Sequence, residues 1–496
     1  MNEDLKQLDQ LMRRQIAYSN AMSLLYVDGA TVAPSGSAES RGETLGILSG
    51  DMYSFCTSPD TISLIDRLYA QRDQLDTMHR RVVEEMRRDI DDMRVVPMED
   101  YVAYQKLVTA SDAVWHQAKA ENNYALFKPY LKKLIEATKK ITAFRHPETD
   151  CYDALLNEFE KGLTKEKCSA FFDVLRRELV PFIKKISLQP KPDRSPIEGH
   201  FPVEQQRLFS HFLMDLIGLD HAHCVIGETE HPFTDAMTKY DVRITTHYHE
   251  DDFSSSMFSV IHEGGHALYA LNLKDELAYT ALNHSPSMSL DESQSRFYEN
   301  IIGRSRAFTR LILPELRRLF PTLQQCSEEA LYRALNIAEP SLIRTEADEL
   351  TYCLHIMIRY ELEQRLFDGT LSVDDLPAEW NRLYKEYFGV DVPSDSEGVL
   401  QDSHWASAMF GYFPSYALGS AYGAQLLDTM QKEINFDQLL EEGRLIEIRQ
   451  WLAEHIWQHG NLFNPQELLH SVVHAPFDPM YYVRYLKQKY SELYQL

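Results

Sequence analysis

The sequence predicts a mostly α-helical protein, folded as one large unit of 496 residues. Three observations carry that prediction. Apolar residues recur every three or four positions through most of the chain, which places them on one face of a helix. Strand-like alternation is rare, and its best candidate is one short β-branched stretch, Asp241-Val242-Arg243-Ile244-Thr245-Thr246. Hydrophobic residues are 44% and charged residues 25%, a balance that supports a sizeable core and excludes extended disorder.

In chain order, residues 4–27 read as a helix, with Leu5, Leu8, Met12 and Ile16 on one stripe. Gly29-Ala30-Thr31-Val32-Ala33-Pro34-Ser35-Gly36 reads as a loop. Helical spacing returns over 61–93 and over 127–144. The proline-rich run from Gln189 to Pro196 has linker composition but lies between helices. Another helix is predicted over 341–367, opening after Pro340 and stopping at Asp368-Gly369. No internal repeat or low-complexity tract appears. Residues 1–200 are expected to form an N-terminal helical subdomain, a candidate lid, and 201–496 the region that carries the chemistry.

Charge and composition exclude several functions. Lys plus Arg is 50 and Asp plus Glu is 75, so the net charge is 50 − 75 = −25. Such a chain repels phosphate backbones, so no nucleic-acid partner is expected. No run of 18 apolar residues is present, so no membrane partner is expected. The first residues lack an apolar signal core. The six cysteines, at 56, 151, 168, 224, 326 and 353, contain no CxxC and suit a reducing compartment. The expected location is cytoplasmic, so the triplet Asn283-His284-Ser285 is read as a chance match to a glycosylation signal.

One motif carries chemistry. His262-Glu263-Gly264-Gly265-His266 is HExxH. On a helix, residues at i and i+4 project from one face, so both imidazoles can reach one zinc ion. Glu263 is then placed to take a proton from water. A plainer reading is two surface histidines. Val260, Ile261, Ala267 and Leu268 argue against it, because they predict a partly buried helix. So do the two glycines, each costing about 1 kcal/mol within a helix and implying something close to the backbone. Asp275, Glu276, Asp291, Glu292 and Glu299 are candidates for a third ligand. Glu292 lies 292 − 266 = 26 residues beyond His266. Ser289-x-x-Glu292 is equally a capping box, in which Glu292 serves only a backbone N–H. Glu299, seven residues on, can orient a ligand from behind. His221/His223 and His247/His249 are HxH pairs whose side chains diverge on a helix, and they read as solvated or core histidines.

HEGGH at 262–266 and ESQSR at 292–296 resemble the M32 metallocarboxypeptidases of the carboxypeptidase Taq type. Four more elements fit that family in order: His231-Pro232-Phe233 (HPF), Asp241 to Thr245 (DxRxT), Ile343 to Asp348 (IRxxAD) and Gly398 to Trp405 (GxxQDxHW). Two positions depart from its pattern: Asp291 stands where the family usually has His before ESQS, and Val27-Asp28 where it tends to have Trp-Asp. The resemblance implies a nearly all-helical fold with a deep active-site groove around an HExxH zinc-protease core. It implies homodimers, one divalent metal (zinc, or cobalt), and removal of C-terminal residues from peptides with broad specificity. Carried onto this chain, the metal ligands are His262, His266 and Glu292 and the general base is Glu263. A guanidinium suits the free carboxylate of a peptide's C-terminus, because its fork matches two oxygens, and Arg344 and Arg243 are the candidates. Arg344 is favoured, with His404 nearby, although without the family an i,i+4 helix pair of Arg344 with Asp348 would be the default. Arg243, with Asp241, is placed in the groove wall. Tyr412 or Tyr416 is a candidate oxyanion donor, or a packed aromatic. Gln401 and Asp402 carry no assigned role. The rivals are a zinc oligopeptidase that cuts inside peptides and an inactive metal-binding scaffold.

Overall fold

The structure, a computed structural model, describes residues 2–496. Among them are twenty α-helices and a single three-stranded sheet. The N-terminal group is α1 (Asn2–Thr31), α2 (Ala38–Cys56), α3 (Pro59–Ala70) and α4 (Thr77–Arg94). α5 (Met98–Ala120), α6 (Tyr124–Arg145), α7 (Cys151–Phe159), α8 (Lys165–Ser187) and α9 (Val203–Ile217) lead to the sheet. Its strands are β1 (Cys224–Glu228), β2 (Thr234–Thr238) and β3 (Asp241–Thr246). α10 (Phe253–Leu271), α11 (Met288–Arg296), α12 (Arg306–Leu319), α13 (Glu328–Leu335), α14 (Tyr352–Asp368), α15 (Leu376–Phe388) and α16 (Pro414–Glu433) follow. Four shorter helices close the fold between Phe436 and Tyr494. No helix among the described residues is long and apolar enough to cross a membrane.

Two apolar cores result. The smaller joins Leu8 and Met12 of α1 to Leu64 and Leu68 of α3 and Val82 and Val83 of α4, with Leu277 and Leu282 from the segment after α10. The larger runs from Trp115 to Tyr494 and encloses α10 and α11. Lys161 reaches Glu85 of α4 at 2.6 Å, and Arg81 donates to the Asn461 carbonyl at 3.2 Å, so polar contacts tie the first four helices to the rest.

Several sequence expectations change. The predicted loop at 29–36 begins later, because α1 continues to Thr31, whose hydroxyl donates to the Val27 carbonyl at 2.7 Å. Pro34 stops it, since the residue before proline is pushed out of the helical region. The helix over 61–93 is two helices, with Asp76 capping the second through the His79 N–H at 2.9 Å. The helix over 341–367 starts only at Tyr352. Upstream, the Asp348 carboxylate takes the N–H groups of Leu350 and Thr351 at 2.9 and 3.0 Å, and Gln401 takes that of Arg344 at 3.0 Å. Those donors are thereby withdrawn from helical pairing. β3 is where the alternation placed it. β1 pairs with it in parallel, Cys224 opposite Val242, and β2 antiparallel, Thr234 opposite Ile244.

Candidate metal centre

α10 carries HExxH on a helix whose Val260, Ile261, Ala267 and Leu268 are wholly buried. Gly265 makes room for α11, while Gly264 faces Ile217 of α9. A Cβ on Gly265 would stand 2.7 Å from the Gln294 carbonyl oxygen and the Ser295 Cα, so only glycine lets the two backbones approach. On the far side of α11, Gly419 of α16 leaves space for Glu292, whose Cβ lies 2.9 Å from where a side chain would begin. α11 is capped by Ser287, whose Oγ accepts from the Leu290 N–H at 3.1 Å. The capping box at Ser289 is therefore not formed, and Glu292 is free of that duty.

His262, His266 and Glu292 offer ligand atoms that all lie within 4.8 Å of one another. Glu292 Oε2 is 3.8 Å from His262 Nε2 and 3.6 Å from His266 Nε2. Donors about 2.0 Å from a tetrahedral zinc stand roughly 3.3 Å apart, so the set fits such an ion with little movement. Each imidazole turns its other nitrogen to a carboxylate: His262 Nδ1 lies 2.8 Å from Glu299 Oε2, and His266 Nδ1 lies 2.8 Å from Asp291 Oδ2. Arg296 holds the opposite edge, donating to Glu292 Oε1 at 2.7 Å and to Glu299 Oε2 at 3.0 Å. Glu299 comes from a π-helical turn, Phe297–Ile302, that continues α11.

The electrostatics match a cation site. Burial opposes the charge of Glu292, but Arg296, His262 and His266 outweigh it and hold the carboxyl far below its usual range. Burial likewise opposes Glu299, and Arg296 and His262 bring it down to about 2. His266 is driven the other way: burial disfavours its protonation, yet Asp291, Glu292 and Glu263 raise its pKa. Three carboxylates thus bear on one imidazole, an excess of negative charge beside the three candidate ligands.

No other cluster competes among the described residues. His221 and His223 pair with Asp215 and Asp220, each at 2.7 Å, and His247 Nδ1 faces the Thr229 carbonyl at 2.8 Å. Asp275 binds Lys239 and Tyr240 at the surface.

The remaining sequence-selected residues form a second group. Arg344 is buried and not on an α-helix. Its partner is Asp402 rather than Asp348, because the 3-10 turn at 344–346 aims it across to the 398–405 loop. Its Nε donates to Asp402 Oδ1 at 2.9 Å, Nη2 forms an ion pair with the same oxygen at 2.8 Å, and Nη1 donates to the Tyr352 hydroxyl at 3.0 Å. Asp402 Oδ2 takes a second guanidinium, the fully buried Arg359, at 2.6 Å. His404 Nε2 is 3.1 Å from the Tyr416 hydroxyl, and its buried Nδ1 has no partner. Burial, with Arg344 and Arg359 beside it, lowers the His404 pKa to about 3, so the ring is neutral. Tyr412 packs edge-on to Tyr416 at 5.1 Å. Burial keeps both phenols protonated, and nearby Glu292 adds to this at Tyr412. Arg243 stands on β3 with its fork on Asp241, at 2.9 and 3.0 Å.

Sequence reasoning missed the residues that join these groups. The Tyr352 ring lies under Arg296 at 4.1 Å and its hydroxyl accepts from Arg344, so one side chain links the arginine cluster to the partner of the candidate ligand Glu292. Arg359 and Glu363 lay in the predicted helix without any mark of function. Glu363 takes Trp405 Nε1 at 2.6 Å and the Gly411 N–H at 2.8 Å, and so fixes the loop that carries His404. Only their burial-prone charge inside an apolar stretch could have flagged them.

The model of the Carboxypeptidase Taq (M32) metallopeptidase family matches residues 7–490. The chain belongs to that family. It is 39% identical to Carboxypeptidase 1 of Bacillus subtilis over 494 residues, covering 99% of each chain, and 33% identical to Thermostable carboxypeptidase 1 of Thermus thermophilus, covering 97% of each. Among solved structures, the M32 carboxypeptidase from Deinococcus radiodurans superimposes with a TM-score of 0.97 at 32% identity, over the whole of both chains. The mostly helical architecture and the enzyme class of a metallocarboxypeptidase stand on these matches.

Proposed function

We propose that this M32 enzyme removes C-terminal residues of broad type from peptides, with His262, His266 and Glu292 as ligands to zinc and Glu263 as general base. Zinc suits the two-imidazole, one-carboxylate donor set. When bound, the metal supplies Lewis acidity, which polarises a carbonyl and acidifies water. The chain's own groups do the rest. Glu263 accepts a proton from the attacking water and delivers it to the leaving amine. Glu299 and Asp291 fix the imidazole rings with Nε2 inward. The protonated phenols of Tyr412 and Tyr416 are donors for developing oxyanion charge.

One observation supports recognition of a free carboxylate. Arg344 and Arg359 share the single anion Asp402, and His404 beside them is neutral. Asp402 balances only one of the two guanidiniums, and buried Glu363, its pKa raised to about 7, offsets the other only in part. Arg344 spends two of its five N–H donors in hydrogen bonds and sets Nη2 against Asp402 as an ion pair, so donors remain for a substrate carboxylate, and His404 Nδ1 supplies a further unpaired atom. Arg243, spent on Asp241, serves the groove wall. Dimerisation and a cytoplasmic location rest on the resemblance and on composition.

The test compares two N-blocked dipeptides, one ending in a free acid and one in an amide, with zinc-loaded protein and with chelator. Chelator-sensitive cleavage of the acid alone is expected. Equal cleavage of both would assign an endo-acting oligopeptidase. Cleavage of neither, at full zinc content, would favour a metal-binding scaffold.

A further inference from the structure

We infer that Thr234 is a positioning residue for the general base, holding one oxygen of Glu263 so that the other alone takes the proton. The inference rests on the proposed role of Glu263. Thr234 opens β2, directly after His231-Pro232-Phe233. Its hydroxyl donates to Glu263 Oε2 at 2.6 Å and lies 3.0 Å from the Glu263 main-chain carbonyl. The first distance is that of a charge-assisted O–H···O bond. Among the described residues Oε1 has no donor, so it is the oxygen left for water.

The hydroxyl is itself held. Thr234 sits opposite Ile244 in the antiparallel register. The preceding Phe233 N–H donates to Thr245 Oγ1 at 2.8 Å, and the Phe233 carbonyl takes the Thr245 N–H at 2.9 Å. HPF and DxRxT are thus two halves of one clamp that presents Thr234 to α10. The Phe233 ring meets Tyr26 of α1 at 5.5 Å, which closes the outer side of β2.

Two acceptors within reach give the hydroxyl a second use. While Glu263 is a carboxylate, the shorter bond to Oε2 is favoured. When an O–H bond of water breaks and an Oε1–H bond forms, the carboxyl becomes neutral and a weaker acceptor. The hydroxyl can then turn to the Glu263 carbonyl without leaving the pair. When Oε1–H breaks and the amine N–H forms, it returns. The reorganisation around the proton transfer is a single hydroxyl rotation, which keeps the base aligned in both states.

Thr234→Val keeps the β-branched shape and removes the hydroxyl; Thr234→Ser keeps the hydroxyl. Both are assayed on the N-blocked free-acid dipeptide, with zinc content and unfolding midpoint recorded and Glu263→Gln as the control. For Thr234→Val, kcat is expected to fall about 10- to 100-fold, with KM within about twofold. Zinc content is expected to stay stoichiometric, and Thr234→Ser to recover most of the loss. An unchanged kcat in Thr234→Val would overturn the inference. So would a loss carried mainly in KM, or Thr234→Ser as impaired as Thr234→Val. A Glu263→Gln enzyme that retains turnover would instead defeat the general-base reading, whatever the threonine variants do.

Discussion

At the residue scale, each side chain of the centre is fixed by a partner that does not touch the reaction. Glu263 is held by Thr234 through Oε2 alone, which leaves its other oxygen unspent. Glu263→Gln preserves the size of the side chain and all three proposed ligands but cannot accept a proton. It is expected to bind stoichiometric zinc while kcat falls by at least about 100-fold, read from elemental analysis and steady-state rates on the same sample. Asp291 gives a second prediction. In this chain a carboxylate lies 2.8 Å from His266 Nδ1 as an ion-pair contact, on the side that Glu299 occupies at His262. Asp291→Asn is expected to weaken zinc binding about 10- to 100-fold in competition with a chromogenic chelator. Unchanged affinity would make Asp291 a bystander. HExxH was legible in the sequence because its chemistry lies within five consecutive residues. The setting of Arg344 was not, since its partner Asp402 is 58 residues away and no local period encodes such a pairing.

At the scale of elements, the centre depends on how closely α11 lies between α10 and α16. The sequence indicated that the motif glycines make room for something; the structure identifies it as the α11 backbone at Gly265 and the Ile217 side chain at Gly264. Gly265→Ala would drive a Cβ into main-chain atoms, which cannot move without shifting Glu292, whereas a Cβ on Gly264 meets only the tip of Ile217. Gly265→Ala is therefore expected to lower the unfolding free energy by about 1–3 kcal/mol and to weaken zinc binding. Gly264→Ala is expected to cost less and to leave zinc affinity near wild type. Chemical unfolding and zinc titration of both variants separate the two effects. The long amphipathic helices were legible because their faces bury apolar residues at helical spacing. Where Asp348 and Gln401 capture backbone N–H groups, the same spacing misled, since side-chain acceptors outcompete the next helical turn there. β1 and β2 escaped notice because each is five residues long and only partly buried.

At the scale of the whole molecule, stability carries the mark of buried carboxylates. Glu363 is fully buried at the junction of α14, α7 and the 401–411 loop, accepting from Tyr152, Trp405 and Gly411. Burial raises its pKa from 4.5 to about 7, against the pull of those three donors. Asp348 is raised in the same way, to about 6. A carboxyl whose folded pKa lies above its unfolded one binds its proton more tightly in the folded state. Its contribution is fully present below the unfolded value and is lost as pH rises through the folded value. For Glu363 that window runs from about 4.5 to about 7, and the loss is on the order of 3 kcal/mol. Glu363→Gln has no such proton to lose. The variant is expected to be less stable than wild type at pH 4.5, because an amide cannot serve all three donors. The gap between the two proteins should then narrow as pH rises to about 7.5. Denaturant unfolding of both proteins across that range measures the gap directly. A gap that stays constant or widens with pH would mean that Glu363 is ionised throughout and that its three donors outweigh its burial.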